Sequence, residues 1–305
     1  MDVLYLGVLV LDKLFEERIH DWRCEFDEAV KMSMHGLLPS PPDPRDYSVD
    51  DIPVAAVRIP EEFILNRSPI VYNQGQTPYC GGASGAGVAT AFYDQFNLVP
   101  RGGFSMTFLY WLAKRYDGIP NIDGTYIRTV LKMMHKYGCA PLSEAPFSTM
   151  RIDITDKAFK EAERYKIDSY ARLRGLSDIK SAVARGLYII IGTMVTRDNW
   201  NRVGGYLSYP AGELYGGHAT FLYGYSNSMS NDGIDRHIGY HLGQNSWGVE
   251  WGDGGRFYLP YDYHDMKLDN GRETFLEAWA VKFPDEEKSD SDKCVKFFDI
   301  FKRLF

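Results

Sequence analysis

Near Tyr165 the spacing of apolar residues along the chain shortens from every third or fourth position to every second. Before that point three stretches, residues 81–96, 105–115 and 125–137, each carry an apolar face at helical spacing, with Met133, Met134 and Tyr137 directed to a core. After it come strand-like runs at 167–173, 187–195, 219–225, 238–242, 256–259 and 278–283. One helix over 177–185 interrupts them, with Ser177 expected as its cap. Helices first and strands later predict an α+β protein of two packed lobes.

Two flanks read differently from this body. Leu11, Phe15, Ile19, Trp22, Phe26 and Val30 recur at helical spacing, so an amphipathic helix is expected over 11–34. It ends at Gly36 and runs into the proline-rich stretch from Leu38 to Tyr47, whose prolines lack amide donors and hold the chain extended. Residues 1–58 therefore form an N-terminal extension and 59–283 the main domain. At the other end an acidic linker precedes a short helix, together residues 284–305, in which Phe297, Phe298, Ile300, Phe301, Leu304 and Phe305 lie against Lys296, Lys302 and Arg303. That pattern suits a membrane surface or a protein partner's groove, and equally a helix folded back on its own domain.

The 34 lysines and arginines against 41 acidic residues give a net charge of −7, without the cationic surplus that phosphate backbones require. Nucleic acid is not an expected partner. The apolar run from Val3 to Leu11 lacks a positive flank and a small-residue cleavage site, so it reads as a buried strand or helix start rather than a signal peptide. No run approaches the roughly 20 apolar residues of a membrane span. Cys24, Cys80, Cys139 and Cys294 fit neither a zinc knuckle nor a disulfide framework, which points to the cytoplasm or another reducing compartment. His237 and His241 stand four apart in one strand and would hold a metal only with acidic or sulfur ligands beside them. No phosphate loop, dinucleotide fingerprint or His-Glu-x-x-His motif occurs, and no cofactor or metal is expected.

Three segments carry chemistry. In the first, Cys80 opens a helix after Gln74-Gly75-Gln76-Thr77-Pro78-Tyr79, where first-turn amides and the helix dipole stabilise a thiolate. The second, Tyr215-Gly216-Gly217-His218-Ala219, sets one histidine at the start of an apolar strand. The third is Asn245-Ser246-Trp247-Gly248-Val249-Glu250-Trp251-Gly252; an asparagine amide holds an imidazole in one tautomer and an adjacent indole shields that bond from water. Taken singly, Cys80 also reads as a small buried apolar residue and His218 as a core histidine.

Together the segments resemble the papain-like cysteine peptidases, in that family's chain order of Cys, His and Asn. Gln74 stands six residues before Cys80, as the family's oxyanion-hole glutamine does, and His218 lies 138 positions after Cys80. The resemblance covers about 59–283, and Asp43-Pro44-Arg45-Asp46-Tyr47 resembles the lead-in of the bacterial and phage-type, non-secreted branch. It implies a papain-like two-lobe fold, with a helical first lobe, an antiparallel β-barrel-like second lobe and the active site in the cleft between them. It implies a peptidase acting on a protein or peptide substrate through a thioester acyl-enzyme. Cys80 is then the nucleophile, His218 its proton acceptor and later donor in a thiolate–imidazolium pair, and Asn245 the residue orienting His218. Gln74 and the Cys80 amide form the oxyanion hole, and Trp247 covers the contact between Asn245 and His218.

Departures from the family pattern bear on the substrate. Gly81 follows the nucleophile where tryptophan is common, and Gly217 before His218 removes a side chain that shapes the pocket, so Gly81, Gly217 and Trp247 are the expected substrate-binding positions. Thr77 replaces a cysteine that secreted relatives use in a disulfide. Residues 1–58 serve either as an occluding prosegment or as a structural extension. Two other readings of the whole remain open: a silent scaffold on the same fold, docked to an assembly or membrane, and an acyl transferase or transpeptidase whose thioester is taken by an amine.

Overall fold

The computed structural model describes residues 35–48, 51–52, 58–200, 203–231 and 235–284. The helices expected over 11–34 and near the C-terminus lie outside the described residues. Five α-helices occur among them: α1 (Cys80–Asp94), α2 (Met106–Lys114), α3 (Ile127–Tyr137), α4 (Asp156–Ala162) and α5 (Leu176–Ala184). A short β1 (Leu37–Leu38) pairs in parallel with β3 (Thr125–Tyr126). The remaining strands, β2 (Glu62–Ile64), β4 (Ser169–Leu173), β5 (Tyr188–Thr196), β6 (Leu214–Asn231), β7 (Asp235–Gln244), β8 (Arg256–Pro260) and β9 (Phe275–Lys282), form one antiparallel sheet.

The expected second-lobe barrel does not form. The sheet is open, in the order β4-β9-β5-β6-β7-β8, and β2 pairs with β6 beyond the reach of β5. Its two outer strands meet irregular chain instead of each other: Arg172 on β4 bonds through its amide to Tyr47 O, and Leu207 N bonds to Tyr258 O on β8. These contacts occupy edges that closure would otherwise have to pair. Nor does each half keep its own core. Val88, Leu109, Val130 and Met134 of the helices pack directly with Ile190, Phe221 and Trp279 of the sheet.

The opposite face of the sheet is covered by Ile179 and Val183 of α5, which meet Ile189, Ile191, Leu222 and Leu259. Because β5 is buried on both faces, its sequence is a continuous apolar run rather than an alternation. Each such buried aliphatic side chain contributes about 1.5–3 kcal/mol. Two local readings are corrected. Gly175, not Ser177, precedes α5, and the Asp178 carboxylate takes the Arg174 amide at 2.9 Å. The unanticipated α4 begins at Thr155, whose hydroxyl accepts the Ala158 amide at 3.1 Å.

Candidate active site

Cys80 is the first residue of α1, and no side chain caps that helix. The open first turn leaves amides near the thiol: the backbone N–H groups of Ala219, Gly36, Gly81 and Cys80 lie close enough to its sulfur to favour the thiolate, against the larger opposing effect of burial. Ala219 follows His218 on β6, so the helix start and this strand meet at the sulfur. The approach depends on glycine in α1. A Cβ on Gly87 would fall 2.6 Å from the Phe221 ring of β6, and one on Gly82 would overlap the Met106 carbonyl of α2.

His218 is fully buried, and its Nε2 lies 2.8 Å from Asn245 Oδ1. The same oxygen accepts the Ser246 amide at 2.8 Å, which fixes it as an acceptor and places the imidazole proton on Nε2. Nδ1 is thereby left with its lone pair, and among the described residues it has no hydrogen-bond partner. A chain of bonds ties this pair to the cysteine loop. The Ser246 hydroxyl donates to Gln74 Oε1 at 2.6 Å, Gln74 N donates to Ser246 O at 2.9 Å, and Gln74 Nε2 donates to Thr77 O at 2.7 Å.

Indoles enclose the imidazole. Trp247 stacks on it with ring centroids 4.7 Å apart, and Trp200 meets it edge-on at 5.4 Å. Trp251 stacks on Trp200 at 5.8 Å and donates its Nε1–H to Trp200 O at 2.9 Å. Sequence reasoning identified Trp247 and Trp251 but missed Trp200, which stands just after β5 with no spacing signal linking it to His218.

Burial works against the expected thiolate–imidazolium pair while the cleft is covered. Burial pushes the Cys80 thiol up, and burial, aided by nearby His35, lowers His218 to about 3 against the opposing Asn245 bond. Both shifts disfavour the charged forms of the two groups. The desolvation has a visible source in the strap of residues 35–48, a role that sequence reasoning left open. His35 stacks on Tyr215 and lies edge-on to His218 and Trp247, with centroids 6.2 and 6.1 Å away. Gly36 passes over the sulfur, and its carbonyl takes the Thr125 amide at 2.8 Å. Any Cβ on Gly36 would overlap the Pro78 carbonyl. Nothing in the sequence distinguishes His35-Gly36 from an ordinary helix end.

The strap also meets one expected substrate position. A Cβ on Gly217 would overlap the Leu37 carbonyl, and the Leu37 side chain fills a slot beside Gly192, Ile127 and Glu277. Trp247 is half-buried at the same cleft. Gly81 is buried, with a Cβ there meeting Val130 at 3.3 Å and Thr125 at 3.5 Å, so helix packing leaves no room for an aromatic shelf. His241 pairs with His264 across 3.0 Å, and no group of three metal-ligating side chains occurs among the described residues.

Comparison with known proteins agrees with this geometry. The chain is 27% identical over 176 residues to an uncharacterized peptidase C1-like protein of Acanthamoeba polyphaga mimivirus, covering 52% of this chain and 54% of that one. This chain thus spans about half the length of that relative. Cathepsin Z of Onchocerca volvulus is 23% identical over 257 residues, covering 77% of this chain and 78% of its own. Among solved structures, xylellain, a cysteine protease from Xylella fastidiosa, superposes with a TM-score of 0.68 at 25% identity, over 83% of this chain and 97% of that one. Residues 114–271, which include His218 and Asn245, match the papain family of cysteine proteases. With just over half its length in that match, the chain belongs to the papain family of cysteine proteases.

Proposed function

We propose that the chain is a cysteine peptidase that hydrolyses peptide bonds, held latent here by its own N-terminal strap. The observation carrying this reading is the His218–Asn245 pair, which leaves Nδ1 of the imidazole with a free lone pair next to Ala219, whose amide lies near the Cys80 sulfur. With the strap displaced and water readmitted, His218 Nδ1 takes the thiol proton. The Cys80 thiolate then attacks the scissile carbonyl carbon. The Cys80 amide and the Gln74 side-chain amide stabilise the tetrahedral oxyanion, one such donor being worth about 3 kcal/mol. His218 returns its proton to the leaving amine, giving a thioester and a free amine. Water, deprotonated by His218, attacks the thioester and releases the acid and the thiol.

The strap supports latency because Gly36 sits over the nucleophile and Leu37 fills the slot beside Gly217. The proline-rich lead-in and Thr77 support the bacterial and phage-type, non-secreted branch. Free Cys80 and Cys139 support a reducing compartment. No described helix is long and apolar enough to cross a membrane. The amphipathic pattern of residues 295–305 supports docking to a membrane surface or a protein partner. The reading is tested by incubating the purified chain with a denatured protein substrate before and after limited trimming of residues 1–58. New N-termini, absent in Cys80→Ala, are expected after trimming, and none in either state would refute it.

A further inference from the structure

Past the thiol the strap enters a second contact of different chemistry. Ser40 donates its amide and hydroxyl to Glu277 Oε1 at 3.2 and 3.1 Å, and its hydroxyl oxygen accepts the Arg128 amide at 3.3 Å. The Arg128 guanidinium donates to the Pro41 carbonyl and, at 2.8 Å, to Asp46 Oδ2. Arg172 reaches the same carboxylate oxygen at 3.9 Å. Both guanidiniums lie over the Trp279 ring, each 5.6 Å from its centroid, and Trp279 Nε1 donates to Glu277 Oε2 at 2.8 Å. Stacking on an indole holds a guanidinium plane in place while leaving its edge for a carboxylate.

Charge makes this surface specific. Asp43 of the strap is bound within its own turn by Arg45, so Asp46 is the carboxylate given to the body. Arg128, Arg172 and Glu277 carry one net positive charge without it. The Arg128 Nε is buried with no hydrogen-bond partner among the described residues. Beside the cluster opens a cavity of about 430 Å³, lined by Pro42, Asp46, Tyr47, Arg172 and Arg174 among others. The cluster also adjoins the cleft, because Ile127, the residue before Arg128, lines the slot that Leu37 fills.

We propose that Arg128 and Arg172, stacked on Trp279, form a carboxylate-binding subsite of the substrate groove, occupied in the latent chain by Asp46. The released peptidase then selects segments that pair an apolar residue, in the Leu37 slot, with an acidic residue up to nine positions away, the separation of Asp46 from Leu37 in the strap. This rests on the peptidase reading above. A charge-assisted hydrogen bond in a partly desolvated site discriminates Glu from Gln by roughly tenfold or more.

The test uses the full chain carrying Gly36→Ala, which loosens the strap, and Asp46→Ala, which vacates the arginines. Leucine-containing fluorogenic peptides, with one Glu or one Gln stepped a position at a time to either side, are compared by kcat/KM. One position is expected to favour Glu about tenfold or more, with the preference lost in Arg128→Gln/Arg172→Gln, reduced in Arg128→Lys and weakened by added salt. Equal rates at every position, or a preference that survives loss of both arginines, would overturn the proposal. The same peptides are also titrated by fluorescence polarisation against the Cys80→Ala form of this chain, which reads the subsite without turnover. Peptides that bind with the Glu preference but are never cleaved by the cysteine form would remove the peptidase reading and leave the carboxylate site standing. Equal binding of Glu and Gln peptides would remove the site itself.

Discussion

The backbone amide of Gly36 lies near the sulfur of Cys80 and favours its ionised form, so the strap meets the nucleophile with backbone rather than with a side chain. A backbone N–H is an obligate donor, yet here it meets a thiol whose ionisation burial opposes. Release of the strap would rehydrate both Cys80 and His218, which makes strap docking and nucleophile activation two readings of one equilibrium.

That equilibrium is open to a single methyl group. In Gly36→Ala the added Cβ has no space against the Pro78 carbonyl, and overpacking of this kind costs about 1–3 kcal/mol. The open population should rise roughly 5- to 150-fold. Peptidase activity of the untrimmed chain is expected to rise in proportion, with unchanged thermal stability of the main domain.

Acid should act in the same direction. Burial lowers His35 to about 4 and His218 to about 3 from an ordinary value of 6.5. The free state therefore binds protons that the docked state refuses. Docking is at full strength above pH 6.5 and weakens as pH falls from 6.5 toward 4, by up to tenfold per unit for each histidine. Strap release, followed by the susceptibility of residues 35–48 to an added protease, should grow over that window. His35→Phe should flatten the profile by removing one of the two groups.

Within the released enzyme, Gln74→Ala should lower kcat by about 10²–10³, with a smaller effect on KM. His218→Ala should abolish turnover. Asn245→Ala should be milder, because the enclosing indoles Trp247 and Trp200 still hold the imidazole plane. Steady-state kinetics on one peptide series separates the three.

Stability of the cleft wall depends on Lys114. Its ammonium donates to the carbonyls of Ile119, Ile122 and Gly124 at 2.8, 2.7 and 3.0 Å and pairs with buried Asp117 at 2.9 Å. Lys114→Met leaves the buried Asp117 charge unpaired, with only the Ile119 amide on its Oδ1, and three carbonyls without their donor, a loss of about 3–5 kcal/mol. The midpoint of urea unfolding reads it directly.

The elements legible in the sequence are those with a strong period. The apolar run of β5 and the glycine-rich α1 were both placed to within two residues, and His218 and Asn245 meet in a hydrogen bond. What failed was long-range. Whether β4 and β8 close a barrel depends on where Tyr47 and Leu207 dock, and no local pattern records that. Trp200 and His35 reach His218 only through the fold, and the protonation state of the site depends on a strap whose sequence reads as a linker.

The most direct measurement is the rate of epoxide labelling of Cys80 at pH 7, followed by intact mass and peptide mapping, in wild type, Gly36→Ala and Gly36→Ala/His218→Ala. Slow labelling in wild type, labelling faster by at least about fivefold and confined to Cys80 in Gly36→Ala, and its loss when His218 is removed are expected. Fast labelling of wild type, or a Gly36→Ala rate that does not depend on His218, would contradict a Cys80–His218 nucleophile masked by the strap.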